Sequence, residues 1–371
     1  MLYRLLIIVL IFQIVLGLFL PVLNFLIRNL VKQRKSRLSL LAWCYLLCNV
    51  VLVLSMTKIG GFSFHTANLL LIVLFYAICT FPFAFIVYIV CRKAFRQCKD
   101  KSQTIASFSF IPMFLLWFVL GVWAAYTPQV VHLSTTINKP LSKPIRIALI
   151  ADLHLGNLVG NRMLNRLDEM LQQQNPDIVL LAGDIFDDLP EQYQQEKMDE
   201  IIKNIAKQRP VYATLGNHDN YRGVQAEIEA EMEKAGVILL RDKSVLFDNK
   251  IWITGRRDKH EIDRLSSEQL MSDEIKNSKL PSIVIDHQPI DAMDNADANF
   301  DIQVSGHTHN GQLFPATLLV RLFHDYVYGN YRVGDMELFI TCGYGLWGIP
   351  LRVGTHSEIM IIDISGSSYE F

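Results

Sequence analysis

The chain has 371 residues, 51% hydrophobic and 19% charged, an apolar excess for a soluble enzyme of this size. Its 35 lysines and arginines against 36 aspartates and glutamates give a net charge of −1, so no basic surplus points to a nucleic-acid partner. The length suffices for two domains, or for one domain and a membrane part, and nothing implies an obligate protein partner.

The apolar excess is concentrated before residue 130. Four stretches, about Leu5 to Ile27, Leu38 to Met56, Ala67 to Cys91 and Ile105 to Tyr126, meet the roughly 20 apolar residues needed to cross a hydrocarbon layer. The first is too long for a removable signal peptide and has no small-residue cleavage site, so it reads as an anchor. The connector "RNLVKQRKSR" carries Arg28, Lys32, Arg34, Lys35 and Arg37, and "RKAFRQCKDK" carries Arg92, Lys93, Arg96, Lys99 and Lys101. Between them "TKIGGFSFHT" has only Lys58, and the leading end only Arg4. Short basic loops stay cytoplasmic, which places both chain ends, and everything after Tyr126, on the far side. Of the six cysteines, Cys44, Cys48, Cys79, Cys91 and Cys98 lie in or beside these stretches, leaving Cys342 no partner in the later domain. The expected organisation is a transmembrane region over 1–127, a proline-containing juxtamembrane linker over 128–144, and a domain over 145–371.

From residue 145 the pattern alternates. The apolar runs "IRIALIA", "DIVLLAG" and "PVYATLG" are separated by helical spacing near 160 to 174 and 191 to 208, the signature of βαβ units with buried parallel strands. Later runs, "KIWITG", "SIVID", "DIQVSG", "ELFITCG" and "EIMIIDI", follow with shorter connections and suggest a second sheet. The expected fold is therefore a four-helix transmembrane region followed by an α/β domain, a two-sheet β-sandwich flanked by helices.

Five of those runs end in polar signatures: "DLH" (Asp152, His154), "GDIFD" (Gly183, Asp184, Asp187), "GNHD" (Gly216, Asn217, His218, Asp219), "DHQP" (His287) and "GHTHNGQ" (Gly306, His307, His309). Ligands of α/β sheets bind beyond the carboxyl ends of strands, so strands delivering Asp, Asn and His to one edge make a site. Each piece alone has a plainer reading: His287 as a satisfied histidine, Asp187 and Asp219 as helix-start caps. Together and in order they do not. The three glycines are expected to let the backbone turn tightly. Arg256 and Arg257 read as surface charges before they read as phosphate contacts.

The ordered set D-x-H, G-D-x-x-D, G-N-H-D, H and G-H-x-H resembles the calcineurin-like metallophosphoesterase superfamily, and the tail "GYGLWGIPLRVGTHSEIMIIDI" is similar to its membrane-associated bacterial branch. Members near that branch often read S-D-x-H where this chain has Ala151. The resemblance implies two divalent ions sharing one bridging carboxylate and activating a bridging water to hydroxide. By that resemblance Asp184 is the bridge, one ion takes Asp152, His154 and His309, and the other takes Asn217, His287 and His307. Mixed O and N donors suit Mn, Fe or Zn. His218 would be catalytic, assisting the leaving group, with Asp187 orienting it.

The segment "LFPATLLVRLFHDYVYG" (313–329) reads either as a piece packed over the core or as an apolar lip that admits a lipid tail while Arg321 meets the head group. The implied activity is hydrolysis of a phosphoester, of a lipid or lipid-linked head group, by an integral protein of a bacterial inner membrane with its domain in the periplasm. Two alternatives stand beside it: a phosphodiesterase for soluble substrates merely tethered to the membrane, and a non-catalytic sensor or scaffold.

Overall fold

A computed structural model describes residues 2–57, 64–95, 99–187, 190–221 and 223–367. Lys58, Arg96 and Cys98 lie outside the described residues. The chain separates into two compact units, Met1–Leu120 and Gly121–Phe371.

In the first unit run α1 (Leu2–Ile27), α2 (Arg34–Thr57), α3 (Phe64–Ala94) and most of α4 (Lys99–Tyr126). All four are long and apolar enough to cross a membrane. Small and apolar side chains such as Leu16, Leu52, Ala67 and Leu74 pack between them, whereas Leu18, Trp43, Leu47 and Val119 stand exposed. Apolar outside and apolar inside is the pattern of helices solvated by lipid. Pro21, Pro82 and Pro112 sit inside α1, α3 and α4.

The second unit holds the remaining elements. β1 (Gln129–Pro140) and β2 (Ile145–Ile150) come first, followed by α5 (Asn161–Gln174), β3 (Ile178–Ala182), α6 (Pro190–Gln195) and α7 (Met198–Gln208). Then follow β4 (Val211–Thr214), the single-turn α8 (Asn217–Asn220), α9 (Gln225–Lys234), β5 (Ile238–Leu239), β6 (Lys243–Phe247) and β7 (Ile251–Gly255). The chain continues with α10 (Ser267–Leu270), α11 (Asp273–Asn277), β8 (Ser282–Ile285), α12 (Ala292–Asp297) and β9 (Ile302–Ser305). It ends with α13 (Ala316–Leu319), β10 (Gly329–Val333), β11 (Met336–Ile340) and β12 (Glu358–Ser367).

One sheet has the order β1-β12-β2-β3-β4-β5 and the other β10-β11-β9-β8-β7-β6. The period-2 alternation of each strand sorts its residues into layers. Ile145, Ile147 and Leu149 of β2 meet Ile253, Ile283, Ile285 and Val304 between the sheets. Ala148 and Ile150, pointing the other way, pack under Leu164, Leu167 and Leu171 of α5 and Ile202 and Ile205 of α7. The outer face of the second sheet is covered by Leu270, Ile275 and Ala292 of α10 to α12. The result is the expected sandwich with helices outside.

Three local expectations are corrected. The stretch 128–144, read as a linker, is mostly the strand β1, paired in parallel with β12 over Gln129 to Ile137. "EIMIIDI" joins the first sheet, antiparallel to β2, and not the second. The helix expected over 191–208 breaks into α6 and α7 because Lys197 takes a left-handed conformation (φ 54°) between them. In addition, the last turn of α4 belongs to the second unit: the Gly121 carbonyl accepts from the Arg352 amide, and the Ala124 and Ala125 carbonyls accept from Ser357. These satisfy carbonyls that a helix terminus leaves orphaned.

Candidate metal centre

The carboxyl ends of β2, β3, β4, β8 and β9 converge, and each carries its chemistry in the first residues beyond the strand. Five of the seven expected ligands leave the strand with a positive φ: Asp152 (54°), His154 (46°), Asp184 (51°), His307 (70°) and His309 (49°). Such conformations cost on the order of 1–3 kcal/mol each and persist only where the surroundings hold them. Here the holding is explicit: the Asp152 and His154 amides donate to the carbonyls of Gly183 and Asp184 at 3.0 Å each. Gly183 alone of the three strand-end glycines uses a positive φ, 79°. Gly216 and Gly306 are needed for proximity instead, since a Cβ would lie 2.2 Å from Asp184 Oδ1 and 2.4 Å from Asp152 Oδ2 respectively.

The donor atoms fall into two principal sets, Asp152–His154–His309 and Asp184–His287–His307, each with its atoms within 4.8 Å of one another. His154 Nε2 and His309 Nε2 face each other at 3.2 Å in a buried space. Asp184 Oδ2 is 3.3 Å from His287 Nε2 and 3.8 Å from His154 Nε2, so it reaches both sets. Asn217 Oδ1 joins the second set at 3.2 Å from His287 Nε2. The other ring nitrogen of His287, Nδ1, lies 2.7 Å from the Ala182 carbonyl, which sets its tautomer. Converging nitrogens and carboxylate oxygens of this kind could hold metal ions.

The charges tell the same story. Burial, together with the Asp184 charge and against the pull of His287, pushes Asp152 up to about 6. Burial also acts to raise Asp184, but His287, His154 and His218 hold it well below the usual carboxylate range. His287 is buried, yet the Asp184 carboxylate drives it up to about 10. Burial and the neighbouring His287 push His307 down to about 3. The Asp184 carboxylate thus favours the protonated form of His287, and a cation held by the same atoms would supply that compensation in its place.

His218 belongs to neither set but forms a third group with His154 and Asp187. Its amide donates to Asp184 Oδ1 at 2.8 Å while its ring projects into the cleft. Asp187 Oδ1 is 3.8 Å from His218 Nδ1 but closer, 3.3 Å, to His154 Nδ1, so this carboxylate braces a ligand as well as the expected catalytic histidine. Asp219 points away from the cleft: fully buried, it accepts from the amides of Gly216, Ile185 and Phe186 and locks two strand-end loops together. Arg256 is buried and held by Asp286 (3.1 Å) and Asn295, which makes it neither a surface charge nor a phosphate contact. Arg257 donates its amide to Asp242 and is half-buried.

The cleft above these residues has a volume of about 490 Å³ and is lined by Asp184, Asn217, His218, His307 and His309 together with Leu319, Val320, Phe323 and Trp347. The reading of 313–329 as packed over the core does not hold for its central turns, since Leu318, Leu319, Leu322 and Phe323 are 51–81% exposed. Sequence reasoning missed Tyr221 and Trp347, which flank the His218 ring at centroid distances of 5.3 and 6.2 Å. Tyr221 was findable: it stands four residues after Asn217, one helical turn, and its hydroxyl accepts from the Asn217 amide at 3.0 Å.

The profile of the calcineurin-like phosphoesterases matches residues 145–311. An uncharacterised metallophosphoesterase of Campylobacter jejuni is 31% identical over 249 residues, which is 66% of this chain and 65% of that one. A zebrafish transmembrane protein with a metallophosphoesterase domain is 29% identical over 72% of this chain and 66% of its own length. The chain therefore spans just under two thirds of these two relatives. The Escherichia coli phosphodiesterase YaeI is 25% identical over 61% of this chain and 84% of its own length. The profile match spans the strands that carry Asp152, Asp184, Asn217, His287 and His307, so residues 145–311 form a domain of the calcineurin-like metallophosphoesterase kind.

Proposed function

We propose that this protein is a metal-dependent phosphoester hydrolase whose substrate is a lipid or lipid-linked phosphoester. The single observation that supports the reading most is the cleft itself, which joins two sets of metal-donor side chains to an exposed apolar wall. Two divalent ions held by Asp152, His154 and His309, and by Asn217, His287 and His307, with Asp184 shared, would supply Lewis acidity towards a phosphoryl oxygen and a water acidic enough to attack near neutral pH. The chain's own residues do the rest. His218 is placed to hold a proton for the departing alkoxide, and Asp187 restrains the rings of His154 and His218. Leu319, Val320 and Phe323 accept the apolar part of the substrate.

The basic connectors between the membrane helices favour an extracytoplasmic domain. A cysteine introduced on the domain surface and labelled by an impermeant maleimide in intact cells tests that placement. The activity is tested with an aryl phosphodiester and with phospholipid vesicles, each with added manganese and with chelator. The expected result is manganese-dependent hydrolysis abolished by Asp184→Ala. Manganese-independent turnover, or an Asp184→Ala protein as active as the parent, contradicts the reading. A second reading, a phosphodiesterase for soluble substrates, is favoured by the name of the Escherichia coli relative, and it predicts aryl diester turnover with no hydrolysis of vesicle lipid.

A further inference from the structure

Among the described residues Arg352 is the largest fully buried side chain, with no exposed surface. Its Nη2 donates to three backbone carbonyls, those of Cys342 (2.9 Å), Gly343 (3.1 Å) and Gly345 (2.8 Å). Burying a guanidinium is costly, so it must be doing something a neutral side chain cannot. It gathers three carbonyls of the 342–345 turn onto one donor nitrogen.

That turn lies directly on the first metal ligand. The Tyr344 amide donates to the Ala151 carbonyl at 3.0 Å and the Gly345 amide to the Asp152 carbonyl at 2.8 Å. A Cβ on Gly343, whose φ is 86°, would come within 2.9 Å of Asp152 Cβ. The turn therefore holds Asp152 in its left-handed conformation from the side opposite to Gly183. The adjacent residue braces the partner ligand: the Val353 amide donates to the Gln312 carbonyl at 3.0 Å, and the Gln312 amide to the His309 carbonyl at 2.9 Å. The Gln312 side chain also brackets the Trp347 backbone, accepting from its amide and donating to its carbonyl at 3.0 Å each. His287 and Asn217 receive no support from this segment. His287 rests on the Ala182 carbonyl, and Asn217 on Tyr221.

We infer that Arg352 is a positioning residue for one half of the metal centre, setting Asp152, and through its neighbour His309, while leaving the Asn217–His287 half to other supports. The inference rests on the two-ion reading above. Arg352→Lys keeps a cation, but its ammonium ends about one bond short of the Nη2 position from which the three carbonyls are served.

The test is a manganese titration of the full-length protein in detergent, read by calorimetry and by the paramagnetic signal of bound ion. The unaltered protein should bind two ions. In Arg352→Lys one ion should weaken by about 10- to 100-fold while the other changes by no more than about threefold, the scale of a lost supporting contact. Arg264→Lys, which disturbs a partly buried guanidinium held by Asp286 and Asp291, serves as the control. It should lower the unfolding temperature and leave both affinities alone. Should Arg352→Lys fail to fold, Gly343→Ala, pressing on Asp152 with Arg352 intact, should weaken the same single ion. Two ions bound at full affinity by the folded variant, or both lost in parallel, overturns the inference. An unaltered protein that binds no manganese overturns the metal-centre reading instead.

Discussion

The apolar wall of the cleft can be tested without disturbing the fold. Leu322 and Phe323 are 75% and 81% exposed, and no residue of α13 or of the turn Val320–Leu322 is buried. Fully burying a leucine or phenylalanine side chain contributes about 1.5–3 kcal/mol, so moving the exposed parts of these two into a bilayer or onto an acyl chain gains roughly 2–4 kcal/mol in total. At about 1.4 kcal/mol per decade, Leu322→Ser combined with Phe323→Ser should raise the apparent KM for vesicle lipid by roughly 30- to 1,000-fold. The same double variant should hydrolyse a soluble aryl diester with kcat/KM within about threefold of the parent and unfold at the same temperature, because exposed substitutions shift stability by less than about 0.5 kcal/mol. Phosphate release from vesicles and aryl alcohol release in detergent-free buffer are the paired assays. Equal losses on both substrates would show that the lip supports the centre and does not receive lipid. No loss on either would show that the exposed surface serves something else.

Three further outcomes are expected. His218→Gln should lower kcat by about 10²- to 10⁴-fold on alkyl phosphoesters and much less on nitrophenyl esters, whose leaving group needs no proton, with the manganese stoichiometry unchanged; an equal loss on both ester types would remove His218 from the leaving-group role. Asp291 is held below the usual carboxylate range by Lys259, Arg264 and Arg256, which outweigh its burial. A depressed carboxylate contributes stability that is present above its unfolded value and lost as pH falls through the folded one. In chelator, therefore, the parent's unfolding temperature should fall more steeply below about pH 4 than that of Asp291→Asn, and parallel curves would refute the assignment. Ser357→Ala removes a buried donor from the Ala125 carbonyl at the end of α4, at 2.7 Å, and should cost about 1–2 kcal/mol by thermal unfolding.

What was legible in the sequence follows a physical rule. β2, β3 and β4 are buried on both faces, so their residues read as continuous apolar runs, and each ligand stands where such a run stops. That made Asp152, His154, Asp184 and Asn217 visible before any topology was known. β1 was hidden because it is an edge strand whose residues alternate between exposed and half-buried, with Pro128 and Pro140 at its limits suggesting a loop. β12 was assigned to the wrong sheet because its partners, β1 and β2, are more than 200 residues distant, and pairing at that separation leaves no local trace.

The two remaining misreadings share a cause and point the same way. Leu318, Leu322 and Phe323 look like core from their composition, and Arg256 looks like surface, yet each lies on the opposite side. Residue type predicts burial only on average, and a departure in either direction requires compensation. For Arg256 it is the Asp286 carboxylate and Asn295, and for Arg352 three carbonyls brought together behind Asp152. For the exposed leucines and phenylalanine no compensating partner stands among the described residues of the second unit. An apolar surface that remains uncompensated beside a metal-donor cleft, in a chain with four helices fit to cross a membrane, is accounted for most simply if its missing partner is lipid.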